Sequence, residues 1–204
     1  MAPEPPAAPG AWVALSVGLG LGALWLGPGP SEAFDWQPQR AWSEPWRLWS
    51  AAFVHLSPMH LQANLLGCAA VAVFGIAARL PRHASWAWLS AWPLTHAALA
   101  MQPLLLHYGG LSGVLHAGVA VAALHLVWGT PGRRRTIGWA VFAGLALKLA
   151  LERPWDGPTQ TSLGWDIPLA PVAHLTGVVS GLLCGALALT IARRHYSRDT
   201  GAPR

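Results

Sequence analysis

The sequence predicts an all-helical membrane protein, a bundle of six transmembrane helices, and three observations carry that prediction. Of the 204 residues, 53% are hydrophobic and only 10% are charged, against about a quarter charged in ordinary soluble domains. Six apolar runs, 11–26, 58–78, 84–102, 112–128, 136–151 and 169–192, reach or approach the roughly 17 to 25 residues that cross a bilayer. The arginines gather at alternate connections between these runs.

The first run follows the segment MAPEPPAAPG (1–10), which is rich in Pro and Ala and carries no Lys or Arg. That composition predicts a disordered leader ahead of a retained first helix, rather than a cleaved secretory signal. The connection 27–57 holds Trp36, Trp42, Trp46 and Trp49, amphipathic rings that prefer the headgroup layer, so it is expected to lie in the membrane interface. The second helix has a legible start, with Ser57 at the N-cap and Pro58 at the first helical position, where a missing N–H costs nothing. The fourth run opens at Ser112, the fifth contains Lys148 and is followed by Glu152, and the sixth precedes a basic tail. Residues 11–192 therefore read as one six-helix domain, with 193–204 as the tail. Cys68 and Cys184 fall inside runs and read as small buried hydrophobes.

The net charge of +5 follows from orientation and requires no nucleic-acid partner. Arg79, Arg82, Arg133, Arg134, Arg135, Arg193, Arg194, Arg198 and Arg204 follow the even-numbered runs, whereas only Arg40, Arg47 and Arg153 lie in the alternate connections. Cytoplasmic loops carry the excess of basic residues, so both termini are expected in the cytoplasm.

Three polar clusters interrupt the apolar pattern: HLSPMHLQAN with His55, His60 and Asn64, GLSGVLH with Ser112 and His116, and AHLTGVVSG with His174. Given the orientation above, the second, fourth and sixth helices all begin on the outer side, and the clusters lie at those beginnings. At about 1.5 Å per residue, Asn64 and His174 sit about 6 to 9 Å in, a recess that water can reach. Pairs four residues apart, such as His60 and Asn64 or Ser112 and His116, share a helix face. A serine becomes a nucleophile when a base takes its proton, and the oxyanion that forms needs fixed donors. Ser112 is the candidate nucleophile and His174 the base. The donors would be the Ser112 N–H at a helix start, His60 and the Asn64 amide, with Gly110 and Gly113 allowing a tight turn and close approach.

Each feature also has a plain structural reading. Gly177 and Gly181 face small residues of the fourth helix in the small-xxx-small spacing of close-packed membrane helices. Intramembrane histidines and asparagines serve as interhelical hydrogen-bond partners. Lys148 and Glu152 have the spacing and order of an i,i+4 ion pair, the cheapest way to keep such charges near a membrane interior, with docking of a substrate tail as the alternative. His55 reads as a structural hydrogen bonder, and His83, His96, His107, His125 and His195 show no spacing that converts into a site.

The segments EPWRLWSAAFVHLSPMHLQANLLG (W-R, then H-x(4)-H-x(3)-N), GGLSG (G-x-S-G) and AHLTGVVSG (A-H-x-x-G-x(3)-G) resemble, in order, the motifs of the rhomboid intramembrane serine proteases, over roughly residues 44–192. The resemblance implies a rhomboid-like six-helix bundle, a Ser112/His174 catalytic dyad, and His60 and Asn64 assisting the oxyanion. Rhomboids commonly carry Tyr four residues after the serine, stacked beneath the histidine, and here that position is His116. This histidine could orient His174 through a hydrogen bond or merely pack beneath it.

His116, the charged fifth helix LKLALE and AHLTG are similar to the rhombosortase branch. That branch implies a bacterial inner-membrane protease, with its site open to the periplasmic side, that processes exported proteins near a Gly-Gly-containing C-terminal tail. No cofactor and no metal are expected, and the partners implied are transmembrane substrates and the lipid bilayer. Two other functions fit less well. One is a rhomboid-like binder of transmembrane segments that does not cut. The other is a metal or haem protein, for which His60, His116 and His174 lack a carboxylate nearby in sequence.

Overall fold

The computed structural model describes residues 8–129 and 132–200, with side chains through His195. Six long helices account for most of it: α1 (Pro9–Leu26), α2 (Pro58–Ala77), α3 (Arg82–Ala98), α4 (Ser112–Gly129), α5 (Arg133–Glu152) and α6 (Pro171–Thr200). No β-strand occurs among the described residues, only isolated bridges between loops. All six apolar runs fold as helices, as expected where backbone groups must be satisfied within one segment.

Four helices, α1, α2, α4 and the Pro171–His195 part of α6, are long and apolar enough to cross a membrane. Two fall short of the expected six for physical reasons. α3 has 17 residues, with Pro93 inside it and Arg82 and His83 in its first turn. α5 spends its first turn on three arginines and carries Lys148 and Glu152 near its far end.

The ends also differ from expectation. Pro9 and Gly10, assigned to the leader, already belong to α1, because Pro is at home in a first helical turn. Ala8 of that leader stands at the N-cap, and residues 1–7 lie outside the described residues. α6 runs past Ala192 to Thr200, since the sequence offers no Gly or Pro to stop it before Gly201. The tail is thus helical for its first eight positions, and residues 201–204 lie outside the described residues.

α4 is the hub. Thirteen of its residues are buried, against five in α1, and α2, α3, α5 and α6 all pack around it. Lipid tails are as apolar as Leu, so membrane helices associate through close packing and polar clips. Both devices are present. A Cβ on Gly177 would sit 2.0 Å from Gly113 O, and one on Gly181 2.4 Å from Ala117 O, so α6 lies on α4 backbone to backbone. Trp88 Nε1–H donates to Val114 O at 2.8 Å, Trp12 Nε1–H to Val71 O at 2.9 Å, and Ser16 to Cys68 O at 2.7 Å. At the far end from Ser112, Arg134 caps α2 by donating to Ala78 O and Arg193 caps α4 by donating to Trp128 O. Cys68 and Cys184 are free thiols, Cys68 buried and Cys184 half-buried.

The connection 27–57 corrects one expectation. Trp42, Trp46 and Trp49 are exposed, but Trp36 is fully buried, because its backbone exchanges hydrogen bonds with Tyr108 at 2.7 and 2.9 Å. Beside it, the buried Arg47 guanidinium bonds Asp35 at 3.0 Å, pairs with Glu44, and donates to the carbonyls of Glu32 and Asp35. His107 bonds the other Asp35 oxygen at 2.6 Å. This layer ties the connection to the segment just before Ser112.

Candidate active site

The backbone before Ser112 is built to deliver a serine at a helix start. Gly110 has φ of +132°, a conformation that side chains disfavour. A Cβ there would lie 2.7 Å from His60 Cε1 and 2.8 Å from its Nε2. Gly110 N–H donates to Ala51 O at 2.9 Å, and the Tyr108 hydroxyl donates to Gly110 O at 3.2 Å. Burial pushes the Tyr108 hydroxyl up to about 12, so it remains a donor. Gly109 is pressed against Val54, where a Cβ would stand 2.7 Å from the Val54 carbonyl. Both glycines are therefore required, one by conformation and one by space.

Ser112 Oγ lies 3.0 Å from His174 Nε2, across the α4–α6 contact that Gly113 and Gly177 make possible. His174 Nδ1 lies 2.7 Å from Glu152 Oε2 at the end of α5, and Glu152 Oε1 is paired with Lys148 one turn earlier. The His116 ring stacks beneath His174 with centroids 4.2 Å apart and planes 17° from parallel. Its Nδ1–H donates to Ser112 O at 2.7 Å. Of the two roles open to His116, the geometry is that of packing beneath His174, with its hydrogen bond going to the serine backbone.

On the α2 side, the Ser57 hydroxyl caps the helix by accepting from His60 N–H at 3.1 Å and donates to Asp166 at 2.8 Å. Asn64 Nδ2 donates to His60 O at 3.1 Å, which leaves its second N–H free to bind elsewhere. His60, Asn64, Ser112 and His174 line one cavity of about 630 Å³. Gly67 and Ala70 of α2 form one wall, Lys148 and Leu151 of α5 the other, and Trp165 of the 153–170 connection lies over it. Ser112, His174 and His60 also line a second cavity of about 220 Å³, on the side of Tyr108 and Gly109. An extended chain passing from one cavity to the other would cross the serine. His55 stands behind His60 with ring centroids 4.9 Å apart and donates from Nδ1 to Phe53 O at 3.0 Å. Burial lowers its pKa against the pull of that carbonyl, consistent with a structural role.

Of the residues singled out for the site, Ser112, His174, His60, Asn64 and His116 line these cavities, whereas Gly110 packs on the His60 ring and Gly113 on the Ala173 carbonyl, lining neither. The sequence reading missed where Glu152 points. The i,i+4 pair with Lys148 forms as expected, but the same carboxylate also reaches His174. The statement that the histidines lack carboxylates holds along the chain and fails in space, because Glu152 comes from 22 positions away. One signal could have found it: α5 follows α4 and precedes α6, so in an up-and-down bundle its last residue arrives at the level where α4 and α6 begin. Among the described residues, no group of three or more His, Cys, Asp or Glu is placed to hold a metal ion. No family model matches the chain, and no curated protein is significantly similar to it.

Proposed function

We propose that this chain is an intramembrane serine endopeptidase of the rhombosortase kind, spanning a bacterial inner membrane six times with both termini cytoplasmic. On this reading it cuts exported proteins near a membrane-embedded, Gly-Gly-containing C-terminal tail. The observation that carries the reading is the 3.0 Å contact between Ser112 Oγ and His174 Nε2, made where two cavities meet. Ser112 attacks the scissile carbonyl as His174 takes its proton, and the oxyanion is held by the Ser112 N–H, the His60 ring and the free N–H of Asn64. His174 then returns the proton to the leaving amine as the C–N bond breaks, and water, activated by the same ring, hydrolyses the acyl-enzyme. The substrate helix enters from the bilayer between α2 and α5, where Gly67 and Ala70 line the cavity with little bulk. A chain flexible at Gly-Gly suits this path, because it unwinds readily and brings little side-chain bulk to the serine.

The test is co-expression with a tagged Gly-Gly-tailed substrate, comparing wild type with Ser112→Ala and His174→Ala. Cleavage by wild type and none by either variant is expected. Cleavage by Ser112→Ala at the wild-type rate would overturn the reading. A protein that retains the tail but never cuts it, and whose Ser112 never reacts with a fluorophosphonate, is a binder instead.

A further inference from the structure

A two-member dyad leaves one question open, namely what decides which ring nitrogen of the base carries its proton. His174 can accept from Ser112 only if Nε2 is bare, and in a neutral imidazole that requires the proton on Nδ1. An ionised carboxylate accepts and never donates, so one placed at Nδ1 fixes that tautomer and also stabilises the imidazolium formed on proton transfer. Glu152 Oε2 is 2.7 Å from that nitrogen. The carboxylate itself sits at the outer mouth of the bundle, one-fifth exposed, where an unpaired acid tends to become neutral. A neutral acid could donate to Nδ1 and select the wrong tautomer. The Lys148 ammonium on Glu152 Oε1 opposes that neutralisation and leaves Oε2 aimed at the ring. The other ionisable side chain facing this group is His116 of α4, held beneath His174 by stacking.

We infer that Glu152 is the positioning residue of the His174 base, and that Lys148 keeps Glu152 ionised and aimed. The site is then a Ser112–His174–Glu152 triad assembled from α4, α6 and α5, rather than a dyad. This deepens the protease reading and rests on it for its kinetic consequences. The tautomer claim stands apart from cleavage.

The experiment uses the full chain in detergent micelles, with Glu152→Gln, Glu152→Asp, Lys148→Met and Lys148→Arg. Histidine ring ¹⁵N spectra are assigned for residue 174 by difference against His174→Ala. The wild-type ring is expected as the Nδ1–H tautomer, and Glu152→Gln, whose amide can donate, is expected to shift it toward Nε2–H. With the tagged Gly-Gly substrate, Glu152→Gln should lower kcat by about 10⁴-fold with little change in KM, as for loss of the acid in other triads. Glu152→Asp should recover part of that loss. Lys148→Met should lower kcat by about 10- to 100-fold through a misplaced carboxylate, and Lys148→Arg should restore it. A Glu152→Gln protein with the wild-type tautomer, or with wild-type kcat, overturns the inference. So does a Lys148→Met enzyme as fast as wild type. If wild type cleaves nothing, the protease reading fails while the tautomer comparison still decides the role of Glu152.

Discussion

Replacing Gly177 by Ala adds one methyl group on α6, remote from the substrate, yet it should disable the site. A Cβ at this position would stand 2.0 Å from Gly113 O, whereas ordinary contact begins at 3.4 Å. The neighbouring atoms are backbone, so no side chain can swing aside and the two helices must part by about 1.4 Å at that level. His174 lies three residues before Gly177, about 4.5 Å along the axis, and Ser112 adjoins Gly113. Most of the displacement therefore reaches the Ser112–His174 contact. Its 3.0 Å length becomes about 4 Å, outside hydrogen-bonding range. Misplacement by about 1 Å can cost about 10²-fold in rate, and overpacking a tight contact about 1 to 3 kcal/mol in stability. The assay pairs cleavage of the tagged tail with thermal unfolding in the same detergent. Gly144→Ala on α5 is the control, because a Cβ there meets nothing within 4 Å. Gly177→Ala is expected to lose both activity and melting temperature while Gly144→Ala keeps both. Cleavage within twofold of wild type, with an unchanged melting temperature, would refute the backbone-contact argument.

Three further outcomes follow from the geometry. Gly110→Ala must strain a φ of +132° and push a methyl group into the His60 ring, so cleavage should fall by about 10²- to 10³-fold, as for loss of an oxyanion donor, in a Michaelis–Menten comparison. Arg47→Met leaves Asp35 and Glu44 without their buried partner; breaking such a pair costs about 3 to 5 kcal/mol, visible as a lower melting temperature. Ser57→Ala removes both the α2 cap and the anchor of Asp166, costing about 1 kcal/mol and speeding limited proteolysis of the 153–170 connection.

The helices were legible because a bilayer-length apolar run has few alternatives, and the start of α2 because Ser57 and Pro58 encode it locally. Ser112 was legible for a different reason: its glycine neighbours and its depth single it out before any partner is known. What escaped the sequence depends on contacts between distant segments. Trp36 reads as an interfacial ring by residue type, and only its pairing with Tyr108 places it inside. Glu152 was hidden by a sufficient local explanation. Lys148 accounts for it within one turn, so nothing along the chain asks for a second partner. Conversely, α3 and α5 read as spans from run length, although Pro93 and the arginines of α5 shorten what each can offer to lipid.

The burial of α4 carries a consequence for hydrogen exchange. Its amides are shielded by four neighbouring helices, whereas α5 buries only Gly138 and Leu145 against the rest of the protein; slow exchange tracks protein packing of the first kind. In deuterated buffer, the strand of backbone bearing the nucleophile should be among the last to label. The Ser112 hydroxyl is thus mounted on the helix that the protein encloses most, and the Glu152 carboxylate on one that the protein encloses little.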